Sequence, residues 1–170
     1  MMTIMTHPFV LRLVRPDDQA FLDVLYFSTR EDLHFPGADP EFVRRLVFMQ
    51  QQAQLNGFRQ LFPQAQHWLI EKSSIGDTGQ HYLQPIGRAV VNRSEHELRL
   101  VDIAVMPAHR RSGAGKSVLL GLQQQASTSQ LALSLAVSKN NHAARQLYLG
   151  LGFVVISADE LFEQMSWRPI

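Results

Sequence analysis

The segment Arg110-Arg111-Ser112-Gly113-Ala114-Gly115 constrains this chain more than any other, because it joins an apolar run, Leu98 to Val105, to a helical pattern that begins near Gly115. The run reads as a strand, the helix is expected to reach about Thr128, and a second apolar strand is expected over Leu131 to Val137. Strand, glycine turn, helix and strand in that order specify a right-handed βαβ crossover. The turn also carries chemistry. The first amides of a helix have no internal acceptor and the helix dipole adds positive potential. A loop stripped of side chains at Gly113 and Gly115 can therefore lie directly against phosphate oxygens.

Spacing separates the phosphate motifs that compete for these residues. A Walker A loop needs a glycine where Arg110 stands, and the dinucleotide fingerprint finds Val118 in place of its third glycine. The remaining pattern, Arg/Gln-x-x-Gly-x-Gly/Ala after a strand ending in Val-x-Pro, is met by Arg110, Gly113 and Gly115 with Val105 and Pro107 upstream. Downstream, Asn141-His142-Ala143-Ala144-Arg145-Gln146-Leu147-Tyr148-Leu149-Gly150-Leu151-Gly152-Phe153 fits N-x-x-A-x-x-L-Y-x-x-x-G-F. On these two matches the chain resembles the GNAT acyltransferases, which bind acetyl-coenzyme A (acetyl-CoA) at the glycine loop. Ser112 stands where many relatives carry glycine.

The resemblance implies a mixed, twisted, mostly antiparallel α/β (α+β) sheet of six to seven strands, flanked by about four helices, with central parallel strands that splay apart. A chain of 170 residues that is 45% hydrophobic suits a single domain over 1–170. Sixteen Lys and Arg face 15 acidic residues, a balance that offers no broad attraction for nucleic acid or an anionic membrane. The absence of cysteine removes disulfides and a cysteinyl acyl-enzyme, so acyl transfer is expected to be direct. Seven scattered histidines give no zinc-ligand spacing, and no metal site is expected. Residues 1–10 lack the basic and apolar regions of a signal peptide and no run is long enough to span a bilayer, so a cytoplasmic location is expected.

Elsewhere the pattern predicts a strand over Phe9 to Arg15, then a helix capped by Asp17 or Asp18 and running to about Thr29, with Phe21, Leu22, Val24 and Leu25 as its apolar stripe. A second helix is predicted over Glu41 to Asn56, with Phe42, Leu46, Met49 and Ala53 at helical spacing and a stop at Asn56-Gly57. Residues 58–66 show no clear period. Strands are predicted over His67 to Lys72 and Pro85 to Asn92 across a polar loop, Ser73 to Gln84. A helix over Asn141 to Leu151 and strands over Gly152 to Ile156 and Phe162 to Arg168 close the chain.

Carried onto this sequence, the resemblance implies that the backbone of Ile103, Ala104 and Val105 holds the pantetheine arm while Arg110, Arg111, Ser112, Gly113, Ala114, Gly115 and Lys116 hold the pyrophosphate. Asn141 and Ala144 fall beside the same cofactor, with capping of its own helix as the other reading of Asn141. Tyr148 matches the family's general acid, against the alternative of a core tyrosine with a bonded hydroxyl. For the base, the candidates are Glu97, near the start of the fourth family strand, and Asp102, which alternation places on a face with Leu98, Leu100 and Ala104. Arg12 or Arg88 could pair with Asp102, and a water chain is the remaining route. The acceptor site is expected from the first two helices and their connection, giving Tyr26, Phe27, Arg30 and Glu31, with Met49, Gln52 and Phe58 as further lining. The acceptor class is a small-molecule or peptide amine. Pairing of two chains through the C-terminal strand is left open. A non-catalytic acyl-CoA-binding sensor is the rival reading, and a nucleotide kinase a distant third.

Overall fold

The computed structural model describes residues 8–170 and the backbone of Met5 and Thr6. Its strands are β1 (Met5–Thr6), β2 (Phe9–Leu13), β3 (Gln66–Ile75), β4 (His81–Arg93), β5 (Glu97–Val105), β6 (Ala132–Ser138), β7 (Val154–Ala158) and β8 (Phe162–Trp167). Its helices are α1 (Gln19–Ser28), α2 (Pro40–Leu61), α3 (Ala114–Ser129) and α4 (His142–Gly150). The strands form one sheet in the order β1-β2-β3-β4-β5-β6-β8-β7. Every neighbouring pair is antiparallel except β5 with β6. The strand beyond the expected seven is β1, a two-residue ladder too short to leave an alternating pattern.

One sheet face carries Leu11, Ile70, Ala89, Val91, Leu98, Leu100, Leu133 and Leu135, all buried in a single core with Val118, Leu119, Leu122 and Ala126 of α3. The opposite face receives α1, which touches β4 and β5, and α2, which packs on α1. A bulge decides which face each β5 residue joins. Val91 pairs with Leu100 while the adjacent Val90 pairs with Asp102, so Val101 is the extra residue. One inserted residue inverts all later alternation. Asp102 and Ala104 therefore leave the face of Leu98 and Leu100, on which alternation had put them, and point toward α1 and α2.

Three local expectations are corrected. The segment Ser73 to Gln84 is mostly ladder, with pairs from Lys72↔Gln84 to Ile75↔His81 and a turn only at 76–80. This hairpin end is largely solvent-exposed, so its pairing needs no apolar alternation. Helix α2 runs through Asn56 and Gly57 to Leu61, and its buried positions are Val43, Val47 and Gln51. Phe42 and Met49 of the expected stripe are 58% and 66% exposed, and Val24 on α1 is also exposed. The third concerns Asp18, which makes no side-chain bond to α1. Its carboxylate instead accepts from the Arg15 amide at 2.7 Å and from both terminal nitrogens of Arg12.

Candidate active site

At the end of β5 the chain passes through a turn whose backbone forms a concavity of N–H groups. Arg111 (φ 59°) and Gly113 (φ 90°) are both left-handed, and alternation of hand around an amide run makes a nest for an anion. Gly113 precedes α3 without a side-chain cap, so no side chain claims the first-turn amides. A Cβ on Gly113 would meet nothing within 4 Å, and one on Gly115 would meet only Leu147 Cδ2 at 3.8 Å, so the cradle opens outward and its far side rests on α4. The positive φ falls on Arg111, at a cost of about 1–2 kcal/mol for a residue with a Cβ. Ser112, the departure from the family pattern, donates its hydroxyl to the His109 carbonyl. Arg111 and Lys116 are exposed. Arg110 folds back, its Nε donating to the Val105 carbonyl at 3.1 Å and its Nη1 lying 3.7 Å from Glu31.

Below the cradle the parallel pair parts. β5 and β6 are bonded only from Glu97↔Ala132 to Leu100↔Leu135. Beyond lies a slot of about 160 Å³ whose lining includes Asp102, Ile103, Ala136, Ser138, Asn141 and Tyr148. The Met106 amide donates to Ile86 on β4, and backbone groups alternate direction along a strand, so Ile103, which lines the slot, and Val105 turn theirs away from β4. Asn141 accepts from the Ala144 amide at 3.2 Å and so caps α4 while lining the slot. The cap and the Arg145–Glu163 ion pair at 2.6 Å fix α4 against β8. Tyr148 is buried against Phe153, with ring centroids 5.9 Å apart, and its hydroxyl has no hydrogen-bond partner among the described residues. Burial, and after it the Asp102 carboxylate, push its pKa up to about 12.

Asp102 faces two ways. It also lines a cleft of about 180 Å³ on the α1 side of the sheet, with Leu22, Leu25, Tyr26, Thr29, Gln54, Arg88, Ile103 and Ala104. Arg88 Nη2 donates to Asp102 at 2.7 Å and to Gln54 Oε1 at 3.2 Å, and its guanidinium lies 5.9 Å from the Phe58 ring centre. Arg88 is buried at 6% exposure, yet its Nε has no partner among the described residues. Leaving such a donor unpaired costs about 1–3 kcal/mol, a feature that asks for a reason.

Of the expected site residues, the slot gathers Asp102, Ile103, Asn141 and Tyr148, and the cradle holds the stretch 110–116 beside it. Of the two arginines proposed for Asp102, Arg88 is the partner, whereas Arg12 binds Asp18 and Glu71. Glu97 is not brought in: it closes the β4–β5 turn through Ser94, at the bonded end of the parallel pair and roughly 16 Å along the strand from Asp102. Among the acceptor candidates, Tyr26 lines the cleft and Phe58 lies under Arg88. Phe27 stacks on His34, Arg30 binds Asp32, and Glu31 reaches Arg110. Met49 lies on the outer side of α2 with Arg44, Arg45 and Phe48. Sequence reasoning missed Leu22, Thr29 and Gln54 as lining. The signal was present in the i, i+3, i+7 spacing of Leu22, Leu25 and Thr29 and of Gln51, Gln54 and Phe58. A larger hollow of about 550 Å³, bounded by Trp68, Arg93 and Gln125 among others, lies elsewhere under α3 and gathers no acid or base. No described helix is long and apolar enough to cross a membrane.

The model of the acetyltransferase (GNAT) family matches residues 32–153. Among solved structures, the chain is similar to the PaiA N-acetyltransferase of Thermoplasma acidophilum in complex with coenzyme A, with a TM-score of 0.65 and 16% identity over 97% of this chain and 100% of that one. Ard1 of Thermoplasma volcanium gives 0.61 and 17% over 96% and 99%. The ribosomal-protein-S5-alanine acetyltransferase of Vibrio fischeri gives 0.60 and 14% over 99% and 97%. No curated protein sequence matches the chain significantly.

Proposed function

Because the chain belongs to the acetyltransferase (GNAT) family, we propose that it transfers an acetyl group from acetyl-CoA to a primary amine by direct attack in a ternary complex. The observation that carries this reading is the convergence of a carboxylate and an unbonded phenol, Asp102 and Tyr148, on a slot left by parting parallel strands. The donor fits the residues present. The left-handed turn at Arg111 and Gly113, open where a Cβ on Gly113 would stand, suits a pyrophosphate, and the backbone of Ile103 and Val105, turned away from β4, suits a pantetheine arm that adds to β5 as a strand would. When bound, acetyl-CoA supplies an activated acyl carbon with a thiol leaving group.

The chain's own groups then divide the proton work. Asp102 accepts a proton from the incoming ammonium, freeing the nitrogen lone pair for the acyl carbon. Tyr148 gives its proton to the sulfur as the C–S bond breaks, and its phenolate then takes the remaining surplus proton from the new amide nitrogen, which restores the phenol. A phenol with a pKa of about 12 keeps its proton at neutral pH and so holds it ready for the departing sulfur. Arg110 donates to the Val105 carbonyl and would have to give up that contact to hold the pyrophosphate. The protein acts as one domain in the cytoplasm.

Incubation with acetyl-CoA and a panel of primary amines, read by thiol release, tests the proposal. Amine-dependent release supports it. Tight coenzyme A binding with no release in any amine leaves the sensor reading instead.

Assembly extends the reading. Strand β7 is one edge of the sheet, and Val154, Val155 and Ile156 along it are 60%, 39% and 62% exposed. Such an edge, with no Lys or Pro to guard it, favours antiparallel pairing with a second copy.

A further inference from the structure

Resting on the acyl-transfer reading above, we infer that the acceptor carries a carbonyl or carboxylate oxygen on the carbon next to its amine, and that Arg88 receives this oxygen while Asp102 receives the amine. The class is that of α-amino carbonyl compounds, as free amino acids or at a chain terminus.

The cleft between α1 and the sheet supplies three constraints. Its Asp102 wall is also a wall of the slot, so an amine on that carboxylate stands at the mouth of the acyl site. Immediately beside the carboxylate is a cation, not an apolar surface: Arg88 Nη2 is 2.7 Å from Asp102. Both polar contacts of that guanidinium leave through Nη2, and whereas Nε is sealed in the protein, Nη1 is neither bonded nor sealed among the described residues. A group seated on Asp102 in the cleft that Arg88 also lines therefore meets the unbonded Nη1 within a bond or two of its nitrogen. An α-carbonyl oxygen fits that separation. A polyamine or a lysine side chain brings only methylenes or a second cation there. The volume sets the third constraint, since about 180 Å³ holds on the order of six waters and admits only a small buried end.

Glycinamide and isobutylamine have nearly the same shape, and only the first has the oxygen. With wild-type protein and saturating acetyl-CoA, and with concentrations counted as unprotonated amine because the carbonyl makes glycinamide the weaker base, glycinamide is expected to show kcat/KM about 10- to 100-fold above isobutylamine and above putrescine, the range for a hydrogen bond to a charged group. In R88M that ratio is expected to collapse toward one, and in R88K to recover in part. Because removing Arg88 strips the half-buried Asp102 carboxylate of its partner, the wild-type ratio stands as the primary reading if the variants fail to fold. Comparing glycine with glycylglycine then separates a free carboxylate from a chain terminus. Equal turnover of glycinamide and isobutylamine, or preference for putrescine, overturns this inference and leaves the acetyltransferase reading intact. No transfer to any of these amines, with coenzyme A still bound, overturns both.

Discussion

Tyr148 holds its proton more tightly than a free phenol, because burial and the Asp102 charge both penalise the phenolate. The neutral form therefore persists well above the ordinary phenol value, and its loss is not expected below about pH 10. In the wild type, turnover should rise as the acceptor amine deprotonates and then stay level to about that pH. Tyr148→Phe should lower the plateau by roughly 10 to 1,000-fold with coenzyme A affinity nearly unchanged, as steady-state profiles and titration would register. Unaltered turnover would return Tyr148 to a packing role. Asp18 is displaced the other way, from 3.8 to about 2, chiefly by its bonds to Arg12 and then by the Arg15 amide. A depressed folded value means stability present above the unfolded value and lost as pH falls from about 4 to 2. Allowing for screening at a partly exposed pair, Asp18→Asn should cost on the order of 1–2 kcal/mol at neutral pH. Urea titrations of the two proteins should converge near pH 2.

At the scale of elements, the glycine loop and α4 were legible because each imposes a backbone demand that few residues meet. Gly113 is left-handed and Asn141 caps its helix, as their types suggest. The bulge at Val101 was not legible, since an extra residue inside an apolar strand leaves no mark in composition, and it alone turned Asp102 toward Arg88. The acceptor-side helices were misjudged for a related reason. α2 has apolar residues on more than one face, and Phe42, Phe48 and Met49 stay exposed while Val43 and Val47 are buried. Propensity also misplaced its end. Gly57 lies inside α2 without a positive φ, and a Cβ there would meet nothing within 4 Å. Gly57→Ala should therefore stabilise the protein by about 0.5–1 kcal/mol, raising Tm by roughly 1–4 °C in a thermal melt. A loss of stability would show that this turn of α2 has a packing constraint not visible around its glycine.

For the molecule as a whole, the sheet is continuous from β1 to β7, yet its one parallel pair is bonded over only part of its length. That partial separation sets the cradle, the slot and the cleft around one strand, with Asp102 lining both the slot and the cleft, so the proposed donor and acceptor would reach it by separate routes. The exposed edge at β7 bears on assembly. Light scattering should give twice the 19.3 kDa of one chain, and Ile156→Lys should return the monomer mass. A monomer in the wild type would mean that the β7 edge is tolerated unpaired.

The cradle at residues 110–116 is the proposed anchor of the donor, and calorimetric titration of coenzyme A into wild type, Gly113→Asn and Gly113→Asp tests it most directly. The two variants share size and backbone strain and differ in charge. Binding weakened modestly by asparagine and roughly 100-fold or more by aspartate is the expected result, because the added carboxylate stands against the pyrophosphate. Equal affinity in all three would place the carrier elsewhere and contradict the assignment of the slot.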